Sequence, residues 1–284
     1  MNVLTIQPWV AQGHVETGAT IACLTALGHE VWAVPTGVFS NTEGLGGATG
    51  RTLPADLVGE LLAGIAARAK LADCAAVLSG NLGAAETGAV VLDAVERVKT
   101  ANPRALYVCD PEIGIGGRIY VQPGIPEFLR DRALGRADIL APNAFELSVL
   151  SGASPGSLSD AAAACAELRA KLRPGGPRMV LVGGLDLPFL PQQTATLLAH
   201  EKGAAAVATP RAVAPPGTGD ALVALFLARM LEGKEPEAAL SYATSVVHAL
   251  ADQAEKERLP DLPLIAARAL LLEPPMLWPA EPVA

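Results

Sequence analysis

None of the four cysteines, Cys23, Cys74, Cys109 and Cys165, has a partner at C-x-x-C spacing, and each stands in an apolar context. That scatter argues against disulfides and thiol-ligated metal, and implies reduced, buried thiols in a cytosolic protein. Basic runs and aromatic-studded stripes are absent, and the net charge is −8. Nucleic acid and anionic membrane surfaces are therefore poor partners. Residues 262–272 are too short, and are broken by Arg268, to span a bilayer. Residues 1–6 are apolar but meet Gln7-Pro8 too soon for a signal peptide. A soluble, cytoplasmic protein is the expectation.

Several catalytic signatures are also lacking. Gly44 to Thr52 imitates a phosphate-binding loop, but its spacing is wrong and Arg51 stands for the lysine. No G-x-G-x-x-G follows the first apolar run, no H-E-x-x-H occurs among the four histidines, and no G-x-S-x-G elbow is present. Dinucleotide dehydrogenases, zinc proteases and α/β-hydrolases are disfavoured.

What the chain does have is alternation. Short apolar runs at 3–6, 31–34, 76–78, 106–109, 139–141, 179–182 and 194–198 read as strands. Amphipathic stretches at 56–69, 86–100, 159–172, 221–232, 235–253 and 262–271 read as helices. This order implies an α/β fold whose mostly parallel sheet lies between helices. No repeat or composition break divides the 284 residues, so a single domain, 1–284, is expected. Trp9 and Trp32 read as core aromatics, and Glu273–Ala284 as an extended surface segment.

Ligands of such sheets bind beyond the carboxyl ends of the strands. Pro8 and His14 follow the first strand, Asn81 the third, Asp110 and Glu112 the fourth, Asn143 and Glu146 the fifth, and Gly183 the sixth. Clustered carboxylates need a cation, and Mg²⁺ on nucleotide phosphates suits hard oxygen ligands. Gly217-Thr218-Gly219-Asp220 opens the apolar run from Ala221. Glycines before a helix make an anion cradle, and an aspartate there suits a base acting beside a transferring phosphoryl group. The plainer alternatives are an N-cap role for Asp220, and for Asn143 a cap on the helix that carries Glu146.

These residues carry a resemblance. Ile6-Gln7, Gly13-His14, Phe39-Ser40-Asn41, Val77-Leu78-Ser79-Gly80, Cys109-Asp110-Pro111, Pro142-Asn143-x-x-Glu146 and Gly217-x-Gly219-Asp220 make the chain resemble the ribokinase-like superfamily, and within it the bacterial pyridoxal kinases. The resemblance runs nearly end to end. It implies a three-layer α/β/α sandwich, a homodimer, and ATP-dependent phosphorylation of the 5'-hydroxymethyl group of pyridoxal or a related B6 vitamer. It implies Asp220 as base and Gly217, Thr218 and Gly219 around the transferred phosphoryl group. Asp110 and Glu146 would hold Mg²⁺, with Ala141, Asn143, Gly183, Arg211 and Ala212 on the nucleotide side. Pro8, His14, Glu43 and Asn81 would line the acceptor pocket.

The chain also departs from the family. Pro8 replaces a serine, Glu43 a threonine, Leu45 a tyrosine, Asn81 a tyrosine, and Gly183 a lysine or threonine. Glu16-Thr17 stands where the family has glycine–asparagine, and Glu112 where it has an apolar residue; Glu112 would either approach the metal or face solvent. The segment before Gly217 is shorter, which would trim a nucleotide lid. A non-catalytic nucleotide or vitamer binder and a hydroxymethylpyrimidine kinase are the alternative readings.

Overall fold

The computed structural model describes residues 1–42, 46–186 and 192–284. In chain order its strands are β1 Asn2–Ile6, β2 Trp9–Val10, β3 Glu30–Val34, β4 Gly37–Phe39, β5 Gly50–Thr52, β6 Cys74–Ser79 and β7 Leu106–Cys109. There follow β8 Gly114–Ile115, β9 Arg118–Ile119, β10 Ile139–Leu140, β11 Met179–Leu185, β12 Gln193–His200, β13 Gly203–Pro210 and β14 Glu281–Pro282. The helices are α1 Glu16–Ala26, α2 Ala55–Arg68, α3 Ala85–Ala101, α4 Ile125–Phe128 and α5 Ala144–Ser151. They continue with α6 Leu158–Lys171, α7 Thr218–Leu231, α8 Pro236–Glu257 and α9 Arg268–Leu272.

Among the described residues, one sheet of nine strands runs β14-β13-β12-β11-β10-β7-β6-β1-β3. From β3 to β11 neighbouring strands are parallel, and β12, β13 and β14 are added antiparallel. Successive residues of a strand point to opposite faces. Leu4, Val77, Tyr107, Leu140 and Val180 therefore enter the core shared with α2, α3, α5 and α6. Val3, Leu78, Val108, Ile139 and Leu181 enter the other core, with α1, α7 and α8. This is the expected three-layer arrangement, and the expected strands all lie within it. A small sheet, β2-β4-β5, and the hairpin β8-β9 sit apart from the main sheet.

Several elements differ from the sequence expectation. α1 is interrupted by Gly18 and β-branched threonines, poor helix formers; it forms because Ala19, Cys23 and Leu24 are buried against the sheet. β13, Gly-Ala-Ala-Ala-Val-Ala-Thr-Pro, has little strand propensity and is set by its hairpin register with β12, His200 opposite Gly203. Residues 262–271 are mostly not helix, since Pro263 has no N–H to donate and only Arg268–Leu272 winds up. The tail, expected to lie extended on the surface, ends as an edge strand: β14 pairs with Ala205 and Ala206 of β13, and Trp278 donates its N–H to Ser245 of α8 at 2.8 Å. Trp9, expected in the core, is 42% exposed on the small sheet, whereas Trp32 packs against the core.

One buried ion network ties the layers together. Asp138, fully buried before β10, accepts hydrogen bonds from Lys99 Nζ of α3 at 2.5 Å, from Arg173 Nε at 2.7 Å and from the Tyr107 N–H of β7 at 2.7 Å. Removing one partner of such a set leaves uncompensated buried charge. Asp138→Asn should lower the unfolding free energy by about 3–5 kcal/mol in urea titration. A change within about 0.5 kcal/mol of wild type would place the network's weight elsewhere.

Candidate active site

The carboxyl ends of β1, β6, β7, β10 and β11 face the start of α7, and the residues singled out in the sequence gather between them. β1 ends at Gln7, whose Nε2 donates to Thr20 of α1 at 2.7 Å while its carbonyl accepts from Thr17 Oγ1 at 3.1 Å. These bonds lock α1 over the strand end. Pro8, next in line, is buried.

β7 delivers Asp110, a buried carboxylate whose N–H donates to the Ser79 carbonyl at 2.9 Å. The chain then turns through Glu112 at φ 44°, left-handed backbone that non-glycine residues rarely adopt. The Glu112 carboxylate accepts a short hydrogen bond from the Tyr120 hydroxyl. Glu146 fixes this turn. Its Oε1 accepts from Ile113 N–H at 2.7 Å and Gly114 N–H at 3.2 Å, and its Oε2 from Asn143 N–H at 2.9 Å. Asn143 and Glu146 form a capping box at the start of α5, and Asn143 Nδ2 donates to the Gly114 carbonyl at 2.8 Å. The cap reading of Asn143 therefore holds, and the same bonds position the acidic loop.

Gly217 at φ 88° is the N-cap of α7, and no side chain caps this helix. A Cβ on Gly217 would lie 1.9 Å from the His14 carbonyl oxygen, so only glycine lets the two loops meet. Asp220 consequently sits inside the first turn rather than at the N-cap, buried, with its own N–H and that of Glu16 near enough to favour its charged form. Gly219 is exposed, with nothing within 4 Å of where a Cβ would lie. An open space at a helix N-terminus suits an anion.

One carboxylate oxygen from each of Asp110, Glu112 and Asp220 lies within 4.8 Å of the others. Burial, and then the charge of Glu112, pushes Asp220 from 3.8 up to about 7. The same two causes, opposed by its backbone donors, carry Glu146 to about 7. Asp110 is raised well above its ordinary range by burial and by Glu112, Glu146 and Asp220. Glu16 is raised likewise, by burial and by Glu112, Asp220 and Asp110. Among the described residues no lysine or arginine pairs with any of these five. Hard oxygens crowded without a counter-charge fit a divalent cation, which would supply charge neutralisation for phosphate oxygens. Asp110 and Glu112 stand where they could ligate it, and Glu146 stands behind them with both oxygens engaged by backbone.

The other expected residues are dispersed. His14 donates its N–H to Asp261 at 3.2 Å and holds its Nδ1 3.7 Å from the same carboxylate. Asn81 turns its Oδ1 to the Gly83 N–H, 2.9 Å away. Ala141 is buried in the ladder beside Cys109. Gly183 bridges to Asn143, and Leu222 of α7 comes within 2.9 Å of where its Cβ would be. Arg211 pairs with Asp186 at 3.2 Å beyond β13, next to the partly exposed Ala212. Glu43 and Leu45 lie outside the described residues. In the sequence Glu16 stands out only as a departure from a glycine, and its left-handed φ of 49° is the physical sign that glycine suits the place.

Comparison with known proteins agrees with this architecture. Residues 19–258 match the model of the phosphomethylpyrimidine kinase family. The chain is 42% identical over 284 residues to the pyridoxal kinase of Granulibacter bethesdensis, covering 99% of both. It is 42% identical over 288 residues to that of Rubrobacter xylanophilus, covering 100% of this chain and 98% of the relative. Pyridoxal kinase from Leishmania donovani in complex with ADP and pyridoxine superposes with a TM-score of 0.91 at 25% identity, over 100% of this chain and 99% of that one.

The raised carboxyl of Asp220 sets a pH dependence. The folded group titrates near 7 and the unfolded one near 3.8, so the native state holds an extra proton between those values. Its stability contribution is complete below the lower value and lost as pH rises through the upper one. In metal-free protein, Asp220→Asn should add about 2–4 kcal/mol of stability near pH 8 and almost none near pH 4. Equal effects at both pH values in urea unfolding would contradict the shift.

Proposed function

The chain belongs to the phosphomethylpyrimidine kinase family, among its bacterial pyridoxal kinases, and from that membership we propose that it transfers the γ-phosphoryl group of ATP to the 5'-hydroxymethyl group of pyridoxal or a related B6 vitamer. The observation that carries the reading is the position of Asp220. It is a buried carboxylate inside the first turn of α7, pushed up to about 7, next to the open space above Gly219. A base near neutral pKa beside an anion cradle is what attack by an alcohol on a phosphoryl group needs.

In this reading Asp220 takes the proton of the 5'-hydroxyl as its oxygen attacks the γ-phosphorus. The new O–P bond forms while the bond to the β-phosphate oxygen breaks, and ADP leaves. The N–H of Gly219 at the start of α7 would face the charge that develops on the equatorial oxygens, while the Thr218 N–H is held by the Pro215 carbonyl at 3.3 Å. Asp110 and Glu112 would hold Mg²⁺, with Glu146 keeping the Glu112 loop in place. Asn143 and Gly183, bridged at the ends of β10 and β11, form the nucleotide-side wall with Ala141, while Arg211 and Ala212 flank it. Pro8, His14, Glu43 and Asn81 are the proposed acceptor-side residues.

Asp220→Asn should reduce kcat for pyridoxal with Mg·ATP by about 100- to 10,000-fold, with nucleotide affinity retained. Turnover equal to wild type would remove Asp220 from the base role. Absence of phosphoryl transfer to any B6 vitamer by folded wild type would favour a binder instead.

We further propose the cytoplasm as its compartment, supported by four free, buried cysteines, two of which, Cys109 and Cys165, are pushed up to about 12 by burial. A homodimer is the proposed assembly. Sedimentation velocity at micromolar protein should give twice the 29.1 kDa chain mass, and a monomer would refute it.

A further inference from the structure

Glu16 is the one carboxylate of the cluster that the proposed reaction leaves without a task. It opens α1 in left-handed backbone at φ 49°, a conformation that glycine adopts without strain. Its backbone N–H is near enough to Asp220 to oppose the rise in that carboxyl's pKa, so the residue stands beside the base. Its Oε2 is shielded from solvent and has no hydrogen-bond partner. It stands outside the group of Asp110, Glu112 and Asp220, whose oxygens lie within 4.8 Å of one another.

The direction of the carboxylate narrows what could satisfy it. Oε2 lies 3.3 Å from the position of a Cβ on Gly80, and Gln7 Oε1 lies 2.7 Å from the same point. Gln7 spends its amide nitrogen on Thr20, which leaves its oxygen for this side. Two side-chain oxygens border the loop that runs from Gly80 into Asn81 on the acceptor side, and a cation bound between them would itself hold the Glu16 carboxyl ionised against its burial. A partner for them must donate hydrogen bonds and carry positive charge, as an alkylammonium group does.

Resting on the phosphoryl-transfer reading above, we propose that Glu16, with Gln7, binds an ammonium group of the acceptor, so that the enzyme favours pyridoxamine over pyridoxal. The chemistry of the vitamer matches the geometry. Its 4'-ammonium and 5'-hydroxymethyl groups are borne on adjacent ring carbons, so a carboxylate that holds the first must neighbour the base that deprotonates the second. Glu16 and Asp220 are such neighbours. Pyridoxal has an aldehyde at the same carbon and offers these oxygens neither a donor nor a charge.

The test is the ratio of kcat/KM for pyridoxamine to that for pyridoxal, with Mg·ATP at neutral pH, in wild type, Glu16→Gln and Glu16→Gly. A ratio cancels any loss common to both acceptors. The glutamine retains the shape and removes the charge, and the glycine also relieves the left-handed backbone. Wild type should favour pyridoxamine, and both variants should lower the ratio by about tenfold or more, the weight of a charge-assisted hydrogen bond. The same ratio in all three proteins, or a wild type that phosphorylates pyridoxal and ignores pyridoxamine, overturns the inference alone. Phosphorylation of neither acceptor overturns the reading beneath it.

Discussion

Repulsion among carboxylates that share one buried end of a sheet governs this molecule, because every loop around them is built either to hold them there or to receive what neutralises them. Asp110, Glu112 and Asp220 bring oxygens within 4.8 Å of one another, and Glu16 and Glu146 add to the field. In water such a cluster would relax outward. Here the strand ends, the capping box of α5 and the glycine contact between the two loops prevent it. The result is a buried acidic site, which the proposed function fills with a divalent cation and a phosphoryl group beside Asp220.

The restraints differ in kind. Glu146 acts on the backbone of the Glu112 turn, accepting three N–H groups, so its charge is spent on position. Gly217 acts by absence, since any side chain would strike the His14 carbonyl. Asp138, farther back, binds α3, β7 and Arg173 into one unit and so supports the strand that carries Asp110. Together they explain how a charged cleft persists on a fold whose cores are almost wholly apolar.

Much of this was legible in the chain. Alternation of apolar periods is a tertiary property written locally, so the parallel strands could be located, and their polar followers pointed to one edge of the sheet. The capping pair Asn143 and Glu146 was readable from spacing. Illegible parts depended on partners distant in sequence. The alanine-rich β13 exists because β12 supplies its register, and the tail becomes a strand because β13 leaves an edge open. In the sequence Glu16 is only a departure from the family's glycine, whereas its left-handed φ, its orphaned oxygen and its place beside Asp220 are properties of the fold. Glu146, expected on the metal side, also accepts three backbone N–H groups that hold the Glu112 turn, a role that depends on contacts distant in sequence.

The most direct measurement is a crystal structure of the protein with an ATP analogue, Mg²⁺ and a B6 vitamer. The account predicts the metal on Asp110 and Glu112, and the vitamer's 5'-oxygen within hydrogen-bond distance of Asp220, facing the γ-phosphoryl group above Gly219. A vitamer bound with its 5'-hydroxymethyl group turned away from Asp220, or a metal that leaves Asp110 and Glu112 untouched, would contradict it.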